Sequence, residues 1–211
     1  MKATGGRPVT SAVVRIYTRK GDDGTTGLLY GGRVRKDDAV IEANGAVDEA
    51  QAALGVARAE AQAGSELDVL LVGLERDLWV LMAEVAIAAP NRHKLVPGTS
   101  LVTKDMVTAL ESTLDALSAR FEMPKEFVVP GSNRVSAALD VARTVVRRAE
   151  RLLVAGHVEG SEVGPYLNRL SDLVWTMARW QEGEEHLTVR SAVDAAEADP
   201  AAREPTPTEE P

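Results

Sequence analysis

The chain has no cysteine, which excludes disulfides, thiolate catalysis and Cys-ligated zinc or iron–sulfur centres. Aromatic residues are scarce at 4%. A core must therefore come from Ala, Leu and Val, a composition that suits closely packed helices. The three histidines, His93, His157 and His186, stand apart, and no Glu-x-x-His pair occurs, so a di-iron bundle site is not expected. No GxxxxGK[ST] run is present, so there is no P-loop. Nor is there a serine nucleophile elbow with its partners. No apolar run approaches the roughly 18–20 residues of a membrane span. The first ten residues lack the apolar stretch of a secretory signal, and a cytoplasmic location is expected. The net charge of −8 fits a soluble chain and argues against nucleic acid as a partner.

What is present is 211 residues with 45% hydrophobic content, enough for one sizeable core. Residues 1–14 read as a flexible leader, 15–181 as one helical domain, and 182–211 as an acidic tail expected to be disordered. From Lys36 to about Gly64, Val40, Ala43, Val47, Ala50, Leu54 and Ala57 recur at helical spacing. Ser65 caps a second helix reaching Ala89, and Thr103 caps a third. Ser132 or Asn133 opens a fourth, to about Ala155; Pro165 suits the first turn of a fifth, ending near Trp180. The expectation is an all-α, five-helix bundle.

Three segments carry the polar chemistry. Arg15–Gly32 is a turn-rich loop in which Thr18, Arg19, Lys20, Gly21, Gly24, Thr25 and Thr26 gather cations, hydroxyls and backbone amides; Lys36 comes just after it. Such a loop suits phosphate, and equally an ordinary surface loop. In the fourth helix, Arg143, Arg147, Glu150 and Arg151 form a polar ridge. Arg147, Arg148 and Arg151 can grip a polyphosphate, with Glu150 orienting an arginine or accepting a ribose hydroxyl; a salt-bridged outer face explains them as well. In the fifth, Asn168, Asp172, Trp175 and Arg179 share a face. The asparagine can read a nucleotide or satisfy a neighbouring backbone, while Trp175 and Trp180 read most simply as core or interface residues.

The fragments YTRKGDDGTTGL, RKDDAVIEANGAVDEAQAALG, FVVPG, ALDVARTVVRRAER and YLNRLSDL occur in this order over roughly residues 15–180. Together they resemble the PduO-type ATP:cob(I)alamin (corrinoid) adenosyltransferases. The resemblance implies a five-helix bundle assembling as a homotrimer, with ATP sites between subunits. It places Thr18, Arg19, Lys20, Gly21, Thr26 and Lys36 around the triphosphate and Mg²⁺. Arg147, Arg148, Glu150, Arg151 and Asn168 complete the ATP site. Asp48 pairs with Arg143 across the subunit boundary near the corrin, and these two with Arg147 form the expected catalytic group. Phe127 occupies the lower corrin face, and Trp175 lies at the corrinoid pocket. The substrates are ATP and cobalamin; a flavoprotein reductase and an adenosylcobalamin-dependent enzyme are the expected partners. A corrinoid- and ATP-binding carrier without turnover is the alternative. Three positions depart from the pattern: Asp140 stands where ALHVART has His, FVVPGSN replaces a PGG run, and Trp175 replaces Phe.

Overall fold

The structure, a computed structural model, describes residues 16–154, 160–183 and 187–198. The expected leader, His157, His186 and the tail beyond 198 lie outside these residues. A hairpin, β1 (Thr25–Gly27) and β2 (Arg33–Arg35), precedes α1 (Ala39–Glu60) and α2 (Glu66–Val85). A short 3-10 turn, Ala89–Lys94, leads to α3 (Lys104–Ser118), α4 (Arg134–Val154), α5 (Val163–Glu182) and α6 (Val189–Ala198).

Helix starts follow side-chain capping. Ser65 accepts from the Asp68 N–H at 3.2 Å, Thr103 from Met106 at 3.3 Å, and Asn133 from Ser136 at 2.8 Å. Each such cap contributes about 1 kcal/mol. The first helix begins later than its apolar pattern predicts. The Lys36 N–H donates to the Gly24 carbonyl at 2.9 Å, closing the preceding loop, and Asp38 becomes the cap. The second ends earlier than Ala89, because the Ala86 carbonyl accepts from the Leu29 N–H at 2.7 Å and so seats the hairpin.

Cross-links fix the helix directions. Gln51 donates to the Glu75 carbonyl at 2.8 Å and Arg58 meets Asp68 at 2.7 Å, so α1 and α2 are antiparallel. Arg148–Glu49 and Arg134–Glu60 make α1 and α4 antiparallel. Asn168–Glu150 and Arg179–Asp140 do the same for α4 and α5. Glu111 and Arg120 of the α3 region meet Arg169 and Trp180, so α3 runs parallel to α5. One end of the bundle therefore gathers the N-termini of α1, α3 and α5 with the C-termini of α2 and α4.

The core is the predicted apolar stripe. Val47, Leu54, Leu71, Leu78, Leu139 and Leu167 are fully buried, each such burial contributing about 1.5–3 kcal/mol. Ala46, Ala50 and Ala57 of α1, with Ala142 and Ala149 of α4, let those two helices pack closely. Tyr166, also buried, donates to Asp77 at 2.9 Å; burial pushes both the phenol and the carboxyl above their ordinary pKa values.

The tail departs from the expected disorder in its first part. The Val129 N–H donates to the Leu187 carbonyl at 2.7 Å, and the Val189 N–H donates to the Phe127 carbonyl at 3.0 Å. Arg190 pairs with Glu126, and Thr188 caps α6 by accepting from the Ser191 N–H at 3.2 Å. The physical reason is local: Val189–Ala198 is rich in alanine, a strong helix former. Residues 127–129 also offer backbone groups to pair with. Among the described residues no helix is long and apolar enough to cross a membrane.

Candidate functional site

The loop is built by Arg33. Its Nη2 donates to the Lys20 carbonyl and to Thr25 Oγ1, both at 2.5 Å, and its Nε to the same hydroxyl at 2.9 Å. Asp23 accepts from Thr25 twice, from the hydroxyl at 2.8 Å and from the N–H at 3.0 Å, and these bonds hold its carboxyl below the usual range. Asp23 and Asp37 are thereby matched with Arg33 and Arg35. Lys20 and Lys36, both exposed, have no ion-pair partner among the described residues. Arg19 adopts a left-handed backbone (φ 60°) and sets its guanidinium 5.4 Å from the Tyr17 ring. Thr18 accepts from the Lys20 N–H at 3.4 Å, and Thr26 lies in the hairpin opposite Val34. Gly21 is packed under Lys36: a Cβ there would come within 3.2 Å of Lys36 Nζ and 3.1 Å of the Thr25 carbonyl. The result is a rigid turn whose surplus charge is positive.

The second group sits on α4 and α5. Arg147, Arg148 and Arg151 are exposed. Arg148 pairs with Glu49 of α1, and Arg151 donates to the Arg147 carbonyl at 3.1 Å. Asn168 Nδ2 donates to Glu150 at 3.0 Å, and its Oδ1 accepts from Arg169 at 2.6 Å. Arg169 in turn donates to Glu111 at 2.9 Å. The amide is thus held rigidly while keeping one free hydrogen and one free lone pair. Glu150 and Asn168 line a cavity of about 780 Å³ with Asp38, Val40, Glu84 and Arg92. The N-termini of α1 and α5 open onto it, adding partial positive charge. Glu84 braces this end: it accepts from Arg92 at 2.8 Å, Ser161 at 2.7 Å and the Val102 N–H at 2.8 Å.

Farther along α4 and α5, a second cavity of about 520 Å³ brings together Phe127, Asp140, Arg143, Trp175 and Arg179. Phe127 is 87% exposed on its rim. Asp140 is buried and accepts from Arg179 at 2.6 Å; Arg143 Nε lies 3.5 Å from its other oxygen. Arg179 also contacts Glu182 through Nε and Nη2, both at 2.9 Å, and sits 5.7 Å from the Trp175 ring centroid.

The structure therefore unites Glu150 with Asn168, and Phe127 with Arg143 and Trp175. Within one chain, and among the described residues, no hydrogen bond or ion pair joins the loop cations to the α4 ridge. Asp48 is exposed and makes no ion pair there, so its expected contact with Arg143 is not an intrachain one. Sequence reasoning missed Arg33, Glu84, Arg169 and Glu182. For Arg33 the signal was the alternation Arg33-Val34-Arg35 after two glycines, which marks a strand; the others act on partners far away in sequence.

The model of the family described as cobalamin adenosyltransferase matches residues 16–181. The chain belongs to this family. It is 43% identical to a corrinoid adenosyltransferase of Citrobacter freundii, over 80% of this chain and 95% of that one. With a corrinoid adenosyltransferase of Mycobacterium tuberculosis it shares 42% identity, over 79% of this chain and 88% of the relative. Among solved structures it resembles a variant PduO-type ATP:corrinoid adenosyltransferase from Lactobacillus reuteri complexed with cobalamin and ATP. The TM-score is 0.72 at 27% identity, covering 82% of this chain and 97% of that one.

Proposed function

We propose that the chain transfers the 5′-deoxyadenosyl group of ATP to the cobalt of reduced cob(I)alamin or a related corrinoid, giving adenosylcobalamin and triphosphate. The observation that carries this reading is the pairing of two sites on the α4–α5 face. One is the Glu150–Asn168 cavity beside an arginine ridge; the other is the aromatic cavity of Phe127 and Trp175. A nucleotide suits the first, and the second offers a flat macrocycle two aromatic side chains beside charged groups.

In the reaction the Co(I) electron pair attacks C5′, the C5′–O5′ bond breaks, and triphosphate leaves with that bond's electrons. Negative charge grows on the departing oxygen. Arg19, Lys20 and Lys36 from the loop, with Arg147, Arg148 and Arg151, stabilise it. Thr18, Thr26 and the Gly21 backbone shape the loop around the phosphates, and Glu150 with Asn168 orients the nucleoside. Among the described residues no hydrogen bond or ion pair joins the loop cations to the ridge within one chain, and on this reading the two meet across a subunit boundary. A homotrimer in which Asp48 reaches Arg143 of a neighbouring copy satisfies this. Among the described residues no group of three His, Cys, Asp or Glu side chains could hold a metal ion. Mg²⁺ would therefore arrive with the triphosphate, with the Thr18 and Thr26 hydroxyls as hard oxygen donors. Phe127 fills the lower corrin face and keeps the dimethylbenzimidazole off. Four-coordinate Co(II) then accepts an electron more easily, and a separate flavoprotein reductase in the cytoplasm supplies it. The product passes to an adenosylcobalamin-dependent enzyme.

The carrier reading rests on the departures at Asp140 and Trp175. Arg179 and Arg143 match the Asp140 charge, so it does not stand unpaired in the cavity. Anaerobic incubation of the chain with ATP and chemically reduced cob(I)alamin is expected to give the adenosylcobalamin spectrum and one triphosphate per turnover. Arg147→Ala should lower kcat/KM for ATP about 100-fold, as loss of a charged transition-state contact does, and Asn168→Ala about tenfold, as loss of a hydrogen bond that orients the nucleoside does. Tight binding of both ligands without spectral conversion would establish a carrier instead.

A further inference from the structure

Arg179 is the largest fully buried side chain among the described residues, and the adenosyl transfer makes no direct use of it. Burying a guanidinium is costly unless its charge is matched. Here Nη2 donates to two carboxylates, Asp140 at 2.6 Å and Glu182 at 2.9 Å. The same group faces the Trp175 ring at 5.7 Å. Asp140 extends the chain of contacts to Arg143, whose buried Nε has that carboxylate at 3.5 Å and no hydrogen-bond partner. Glu182, Arg179, Asp140 and Arg143 thus form one row of alternating charge, and three of its four members are nearly inaccessible to water. Its open end is Arg143, on the wall shared with Trp175 and Phe127.

Two side chains that line this cavity, Asp140 and Trp175, both contact Arg179. A neutral or cationic residue at 140 would leave Arg179 with Glu182 alone. A smaller ring at 175 would leave the flat face of its guanidinium uncovered.

We infer that Arg179 is a positioning residue of the corrinoid half of the site. It fixes the tilt of the Trp175 indole directly and the reach of Arg143 through Asp140, and so selects how a corrin seats against Phe127. This rests on the corrinoid reading above and adds a residue to it. An arginine is required because only a planar fork bonds two carboxylates and presents a face to an indole; a lysine supplies the charge alone.

The test uses the full chain. Arg179→Lys keeps the charge, and Asp140→Asn keeps the shape, so both are expected to fold. Each is expected to raise the KM and the spectroscopically titrated Kd for cob(I)alamin about tenfold, the loss of one charge-assisted hydrogen bond. KM for ATP should stay within about twofold, since the Glu150–Asn168 cavity does not include Arg179. In a Trp175→Phe background the Arg179→Lys effect should shrink, because one of its two routes is already lost. Wild-type corrinoid binding in Arg179→Lys, or an equal rise in both KM values, overturns the positioning role. A wild-type chain that binds no corrinoid overturns the functional reading itself.

Discussion

At the scale of single residues, charge matching explains why some polar side chains are inside and others outside. Arg147 and Lys36 are exposed and have no carboxylate partner among the described residues, whereas Arg179 is 2% exposed and has two. Removing the buried cation leaves two buried carboxylates with only Arg143 nearby. Arg179→Met is expected to lower unfolding stability by about 3–5 kcal/mol, as for other broken buried pairs. Urea unfolding at pH 7 measures it, and a loss under about 1 kcal/mol would show that the row of charges does not hold α4 to α5. The ligand-type residues of α4 and α5 were legible from helical spacing, since Glu150 and Asn168 carry the right chemistry wherever they face. Their mutual bond was not legible, nor was the Asp140–Arg179 pair, because partners 39 residues apart leave no local trace.

Among the elements, the helices were the most readable. Leu67, Leu71, Leu74, Leu78 and Leu81 mark one face of α2 by period alone, and Ser65, Thr103 and Asn133 announce their caps. The hairpin was obscured by its glycines and aspartates, which suggest only turns. Its order depends on Arg33, a contact across 13 residues to Lys20. The segment from Leu187 to Ala198 was hidden by the acidic, proline-rich composition of the C-terminal residues beyond it. The hairpin also yields a test. Gly21→Ala would push against Lys36 Nζ and the Thr25 carbonyl at 3.2 and 3.1 Å. KM for ATP should rise about fivefold, a cost near 1 kcal/mol, with KM for the corrinoid unchanged. An unaltered ATP KM in steady-state assays would remove Lys36 from the phosphate site.

In the molecule as a whole, no hydrogen bond or ion pair among the described residues links the loop cations to the α4 ridge. If neighbouring copies join them, mixed assemblies can complement. Lys36→Ala subunits and Asn168→Ala subunits, each impaired alone, should together recover about a quarter of wild-type activity after 1:1 denaturation and reassembly, because a quarter of the boundaries pair an intact loop with an intact ridge. Recovery no greater than either parent would place loop and ridge in the same copy.

Beyond the family match, which ends at residue 181, the polypeptide crosses back and lends its backbone to Val129 and Phe127. Homology alone would set the useful boundary too early. A shortened version stopping there would lose Glu182, one of the two carboxylates on Arg179, and with it the backbone bonds that tie Phe127 to Val189 and Val129 to Leu187. Anyone engineering this chain for corrin chemistry should therefore treat Leu187–Arg190 as part of the catalyst's frame rather than as a handle for fusion or trimming.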